Sequence, residues 1–159
     1  GGVQATQEQK DGWLISKNEE YLSYISKMTA DDILPGVLKV LNYLRKKNIP
    51  MALGSASKNA QPILKRVGLF ERFDCIVDGN HVTKAKPDPE VFTIGADELG
   101  VAYEDAIVFE DSIAGIQAAN RVNMLSVGIG DAQVLNEADH NFNDFTEIDT
   151  AFLDQLINA

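Results

Sequence analysis

Between Gln7 and Met28 the apolar residues Leu14, Tyr21, Leu22, Ile25 and Met28 recur at helical intervals among polar neighbours, which predicts one or two amphipathic helices. The segment DDILPG then breaks the rhythm, with Pro35 and Gly36 marking a boundary. Beyond it, helical stripes and short continuous apolar runs alternate. Val37, Val40, Leu41 and Leu44 predict a helix, and IPMALGS (49–55) a strand. Ile63, Leu64 and Val67 predict the next helix, and FDCIV (73–77) the next strand. Val91, Phe92 and Leu99 mark a third helix before the strand AIVF (106–109). Ile113 and Ile116 begin a fourth before the strand MLSVGIG (124–130), and a last helix is expected over 151–157. Continuous apolar strands separated by helices imply an α/β fold, a parallel sheet covered on both faces. In such sheets ligands gather at the carboxyl ends of the strands, so the residues just after each strand carry the chemistry.

Charge narrows the partners. The 159 residues carry a formal net charge of -10, which argues against nucleic acid or an anionic membrane, both of which need Lys and Arg in excess. Any bound phosphate must be held by a few local residues. A single cysteine, Cys75, permits no internal disulfide. No apolar run is long enough to cross a bilayer and no signal peptide is visible, so a soluble, cytoplasmic protein is expected. The chain opens GGVQATQEQK without an initiator Met, the mark expected of a processed or truncated product.

Three strand ends stand out. SASKN (55–59) sets two hydroxyls, an ammonium and an amide at a helix start, where unpaired N–H groups and the helix dipole favour an anion; Ser57 could equally be a plain helix cap. KAKPDPEVF (84–92) places Lys86 ahead of Pro87 and Pro89, a stiff platform for a charge that must be aimed, although a solvated lysine would look the same. VFEDSIAGIQAAN (108–120) ends a strand on two adjacent acids, Glu110 and Asp111. Neighbouring anions repel, so a cation is expected between them, and magnesium is typically held by one or two carboxylates with phosphate and water. His81, His140, Trp13 and Cys75 have no companions at functional spacing and read as packing or surface residues.

Hydroxyl after one strand, lysine before a later helix, paired acids after the next strand: this series resembles the haloacid dehalogenase superfamily of phosphoryl-transfer enzymes, from Asp31 onward and less surely before it. The resemblance implies a three-layer Rossmann-like core, spanning 32–159, with residues 1–31 as the remnant of a helical cap. Within the superfamily, SASKN, KAKPDP and FEDSIAGIQA are most similar to mutases that shift a phosphoryl group between two positions of a sugar; the phosphatases more often carry a Thr-Asn-Lys type of sequence at the first motif.

By that resemblance Ser55, Ala56 and Lys86 would hold the phosphoryl group in transfer, with Lys86 also offsetting charge at the nucleophile. Ser57, Lys58 and Asn59 would grip the non-reacting phosphate, Lys17 would face the sugar phosphate, and Glu110 and Asp111 would bind magnesium. Family members attack with an aspartate at the end of the first, central strand, in an Asp-x-Asp motif that this sequence lacks. TADD (29–32) offers two acids, but behind a helix. The chain is therefore expected to be the C-terminal part of a longer enzyme, its sheet missing the middle strand and completed by an N-terminal segment or a second chain. A sugar-phosphate phosphatase is the nearest alternative, and a non-catalytic phosphosugar-binding or interaction module the alternative of another class. After GIQAAN, relatives often place a glycine where Arg121, Val122 and Asn123 stand, and Asn123 can adopt the left-handed conformation instead.

Overall fold

The computed structural model describes residues 26–159; Trp13, Lys17 and most of the 1–31 cap segment lie outside the described residues. Thr29 opens a 3-10 turn at Ala30–Asp32, where its Oγ1 accepts from the Asp31 amide and the Asp32 carboxylate accepts from the Thr29 amide at 2.8 Å. The TADD acids thus close a turn.

Five helices follow at the places the pattern predicts: α1 (Val37–Lys46), α2 (Ala60–Val67), α3 (Glu90–Leu99), α4 (Ile113–Arg121) and α5 (Thr150–Ile157). Gly68 and Gly100 end α2 and α3 in the left-handed conformation, and after α4 Asn123 takes that role at φ 61°. The strands are shorter than the apolar runs: β1 (Ala52–Gly54), β2 (Cys75–Val77), β3 (Ile107–Glu110) and β4 (Leu125–Ile129). Before β1, Pro50 lacks an N–H, and the Met51 amide donates to the Asp74 side chain at 2.8 Å. A fifth strand, β5 (His140–Phe142), was not legible; its three residues follow polar chain and pack through His140 and Phe142 on Phe152 of α5.

All pairing is parallel. β1 lies beside β2, with Ala52 opposite Cys75 and Gly54 opposite Val77. β3, β4 and β5 form a second sheet in that order. A sheet lacking its middle strand was expected, and the described residues form two sheets that no described strand joins.

Helices hold the two sheets together from both faces. Leu41 of α1 packs with Leu64 and Val67 of α2 beneath β1 and β2, while Val40 of the same helix packs with Leu153 of α5 beneath Phe109 and Phe142. On the opposite face, α3 reaches both sheets. Its Gly95 approaches Ala52 and Val77, and its Ala96 packs with Val108 and with Ala119 of α4. Between β1 and β3 this leaves a cavity of about 570 Å³, with Leu53, Gly54, Val108 and Phe109 among its walls and Leu44 and Phe92 above and below. β2 and β4 occupy the outer edges of β1 and β3, so the two inner edges face the cavity. Among the described residues no helix is long and apolar enough to cross a membrane.

Gly95 sits in the middle of α3, and a Cβ there would meet Ala52 Cβ at 3.5 Å and Val77 Cγ2 at 3.8 Å, both ordinary contacts. Gly95→Ala should therefore raise the unfolding free energy by roughly 0.5–1 kcal/mol, measured by urea titration, because mid-helix glycine has the larger unfolded-state entropy to lose.

Candidate active site at the strand ends

The loop after β1 is built by its own hydroxyls. The Ser55 amide donates to the Val77 carbonyl at 2.9 Å and so extends the β1–β2 pairing by one residue. Ser55 Oγ accepts from the Ser57 amide at 3.2 Å, and Ser57 Oγ from the Asn59 amide at 3.1 Å. These two short turns wind the chain into α2. The cap position belongs to Asn59, whose side chain makes no capping bond, so Ser57 is not the helix cap. Ala56 and Lys58 are exposed on the same loop.

Lys86 is aimed by its neighbours. Glu90, at the first position of α3, accepts from the Thr83 amide at 3.0 Å and the Lys84 amide at 2.8 Å, and these bonds hold its carboxyl below its ordinary range. The loop is thereby tied down, and Lys84 points to solvent while Lys86 is half-buried. The Lys86 ammonium lies 4.9 Å from the centre of the Phe92 ring and 2.7 Å from Glu110 Oε2. The same ring packs 3.1 Å from where a Cβ of Gly54 would stand. One aromatic ring therefore links the end of β1 to Lys86, and Lys86 in turn is paired with the end of β3.

Glu110 explains why two acids can end a buried strand. Its Oε1 accepts from the Asp111 amide at 3.0 Å, the Ser112 amide at 3.2 Å and Ser112 Oγ at 3.1 Å, and its Oε2 takes Lys86. Ser112 caps α4 by accepting from the Gly115 amide at 3.0 Å. Glu110 thus lies over the positive end of α4, so close that any side chain at Gly115 would overlap its carboxylate. Burial alone would push Glu110 up, but the Lys86 ammonium and the Asp111 and Ser112 hydrogen bonds outweigh it and hold the carboxyl low. Lys86 is thus a counter-ion for Glu110, at 2.7 Å.

Asp111 behaves oppositely. Its hydrogen-bonding to Glu110, partial burial and the repulsion of that neighbour raise its carboxyl above the usual range. An exposed carboxylate with raised proton affinity beside another anion fits a hard divalent cation, which would relieve the repulsion. Among the described residues no three acids, histidines or cysteines gather at metal-binding distances. Magnesium, which takes about six oxygens, would draw its remaining ligands from phosphate, water or residues outside the described set.

Ser55, Lys86, Glu110 and Asp111 are therefore brought to one end of the fold, while Lys17 lies outside the described residues. Ser112 caps α4, and two residues not singled out for a role also matter: Glu90 ties the lysine loop and Phe92 carries Lys86. Glu90 follows Pro89 at a helix start, a signal for N-terminal acids that was available in the sequence.

Lys86 and Glu110 side chains are 16% and 9% exposed. Lys86→Met should cost about 3 kcal/mol in urea unfolding at neutral pH, because it strands a buried charge. Glu110 has its folded value below its unfolded one, so the pair stabilises at neutral pH and the contribution fades as acid protonates Glu110. The difference between wild type and variant should therefore shrink below the ordinary carboxylate range. Asp111→Asn removes a like-charge contact and should raise the metal-free melting temperature at pH 7, while abolishing any rise that magnesium chloride gives the wild type.

The comparisons agree with this geometry. A model of the haloacid dehalogenase-like hydrolases matches residues 3–123. The chain is 38% identical over 141 residues to a beta-phosphoglucomutase of Bacillus subtilis, covering 87% of this chain and 62% of the relative. It is 32% identical over 126 residues to a validoxylamine A 7'-phosphate phosphatase of Streptomyces hygroscopicus, covering 76% of this chain and 59% of the relative. The chain thus spans less than two thirds of either curated relative. The crystal structure of a beta-phosphoglucomutase from Clostridium difficile superposes with a TM-score of 0.88 at 35% identity, over 96% of this chain and 69% of that one.

Proposed function

The chain belongs to the haloacid dehalogenase-like hydrolase family, and on that premise we propose that its strand-end site serves phosphoryl transfer on a phosphorylated sugar, interconverting β-D-glucose 1-phosphate and glucose 6-phosphate through the 1,6-bisphosphate. The observation that carries this reading is the convergence of Lys86, Glu110 and the Ser55 loop at the carboxyl ends of β1 and β3. Two relatives named beta-phosphoglucomutase support the mutase over other acceptors.

In this reading Ser55, Ala56 and Lys86 hold the phosphoryl group in transfer. Lys86, fixed by Glu110 and Phe92, offers one ammonium edge to the phosphoryl oxygens with no need to reorient. Ser57, Lys58 and Asn59 grip the second phosphate at the start of α2. Lys17 faces the sugar. Asp111, with Glu110 beside it, holds magnesium, which when bound neutralises charge on the phosphoryl oxygens. The gap between β1 and β3 belongs to a parallel strand from a segment ahead of Gly1 or from a second chain, whose unpaired backbone would match both inner edges and whose end would deliver the attacking aspartate beside Lys86. Among the described residues no acid stands in that place, since Asp32 closes a turn.

A phosphatase is the second reading, favoured by the relatives that carry that name. A chain carrying the completing strand, supplied with β-D-glucose 1-phosphate and a trace of bisphosphate, should form glucose 6-phosphate. Inorganic phosphate released without glucose 6-phosphate would establish the phosphatase instead. Lys86→Ala in that chain should lower kcat/KM by about a hundredfold or more, as for other preorganised charges at a developing anion.

A further inference from the structure

An acid in the first turn of a helix needs only to lie near the positive end of the dipole. Glu90 does more, since both of its carboxylate oxygens reach back across the loop that precedes α3. Oε1 accepts from the Thr83 amide at 3.0 Å, Oε2 accepts from the Lys84 amide at 2.8 Å, and the Thr83 hydroxyl lies 3.2 Å from the first and 3.1 Å from the second. Inside the loop so closed, the Asp88 amide donates to the Ala85 carbonyl at 3.0 Å, and Asp88 Oδ1 accepts from the Glu90 amide at 3.0 Å. Pro87 and Pro89 fix their own φ angles. Residues 83–90 therefore form a ring tied at its neck by one side chain, and Lys86 stands within that ring.

The same helix also backs the charge. Phe92, two residues after Glu90, lies under the Lys86 ammonium at 4.9 Å, and that ammonium meets Glu110 at 2.7 Å. The first turn of α3 thus fixes both the backbone that carries Lys86 and the surface on which its ammonium rests. A lysine side chain is long and rich in rotamers, so its head keeps one place only if its own backbone is fixed first.

We propose that Glu90, together with Thr83, is a positioning residue for phosphoryl transfer: it closes the 83–90 loop so that the Lys86 ammonium is delivered to Glu110 and to the transferring phosphoryl group in one fixed place. The proposal rests on the reading of Lys86 as the charge that holds that group. Glu90 acts through Lys86 alone.

Thr83 is exposed and Glu90 half-buried, so substitutions at either spare the core. Glu90→Ala opens the neck of the ring, Thr83→Val removes only its hydroxyl, and Glu90→Gln keeps one acceptor oxygen. In the full chain the Lys86 ε-methylene protons lie close to the Phe92 ring face and should resonate upfield of those of exposed lysines. In Glu90→Ala they should move toward the exposed-lysine values, and the Thr83 and Lys84 amides should exchange faster, with Thr83→Val and Glu90→Gln between that variant and wild type. A lower melting temperature with the Lys86 resonances unmoved would show that Glu90 only stabilises α3, and would overturn the proposal.

In a chain carrying the completing strand, Glu90→Ala should lower kcat for turnover of β-D-glucose 1-phosphate about tenfold with KM little changed, the effect of a displaced charge, and Glu90→Gln should recover part of it. If Lys86→Ala lowers kcat/KM while Glu90→Ala leaves kcat at the wild-type value, the positioning role is overturned. If Lys86→Ala itself has no effect although the Lys86 resonances move in Glu90→Ala, the reading of Lys86 as the phosphoryl-holding charge fails, and with it the functional part of the proposal, while the loop closure stands as structure.

Discussion

The pairing of Lys86 with Glu110 is the contact on which the site depends. Glu110 ends a strand in a half-buried place where an unmatched carboxylate would be costly, and both of its carboxylate oxygens have donors: an ammonium on Oε2 and the first turn of α4 on Oε1. Because Glu110 is locked over Gly115, it locks Lys86 in turn, with Phe92 beneath. A lysine at the end of a flexible loop becomes a charge with a fixed address. At Asp111 next door the Lys86 ammonium and a backbone hydrogen bond only partly offset the influence of Glu110 and burial, so its carboxyl stays raised, the property a hard cation would relieve.

The second constraint is the division of the sheet. Two parallel blocks lie on either side of an apolar cavity, and the helices α1 and α3 touch both blocks. The inner edges of β1 and β3 present backbone donors and acceptors to that cavity, an environment suited to a strand rather than to a small solute. The loops that would bind phosphate are attached to the outer, already paired sides: the Ser55 loop is anchored to β2 through the Val77 carbonyl and to the turn after β2 through Gly79 and Asn80, and Glu110 to α4. The site can therefore be held in shape by contacts independent of whatever occupies the gap.

Much of this was legible before any coordinates. Five helices and four strands follow from where apolar residues recur at intervals of three or four and where they run together. Asn123 was readable as a left-handed helix end because few other side chains tolerate that conformation, and it stands at φ 61°. β5 was not readable, since three residues with no alternation hold their place through Phe152 and the edge of β4, partners distant in the chain. The partner of Glu110 was also hidden. The sequence placed magnesium beside the two acids but gave no sign that Glu110 is also paired with Lys86, 24 residues away.

Sequence by itself determined the alternation of helices and strands, the boundary near Pro35, and the chemical kinds of residue at each strand end, because periodicity and side-chain chemistry are local properties. Only the tertiary structure decided which of those residues meet. That Lys86 serves Glu110, that the Gly79 amide and the Asn80 side chain hold the Ser57 and Lys58 carbonyls, and that β5 joins the edge of β4 all depend on distances between segments far apart in the chain, and such distances are set by the packing of helices across both sheets rather than by any stretch read alone.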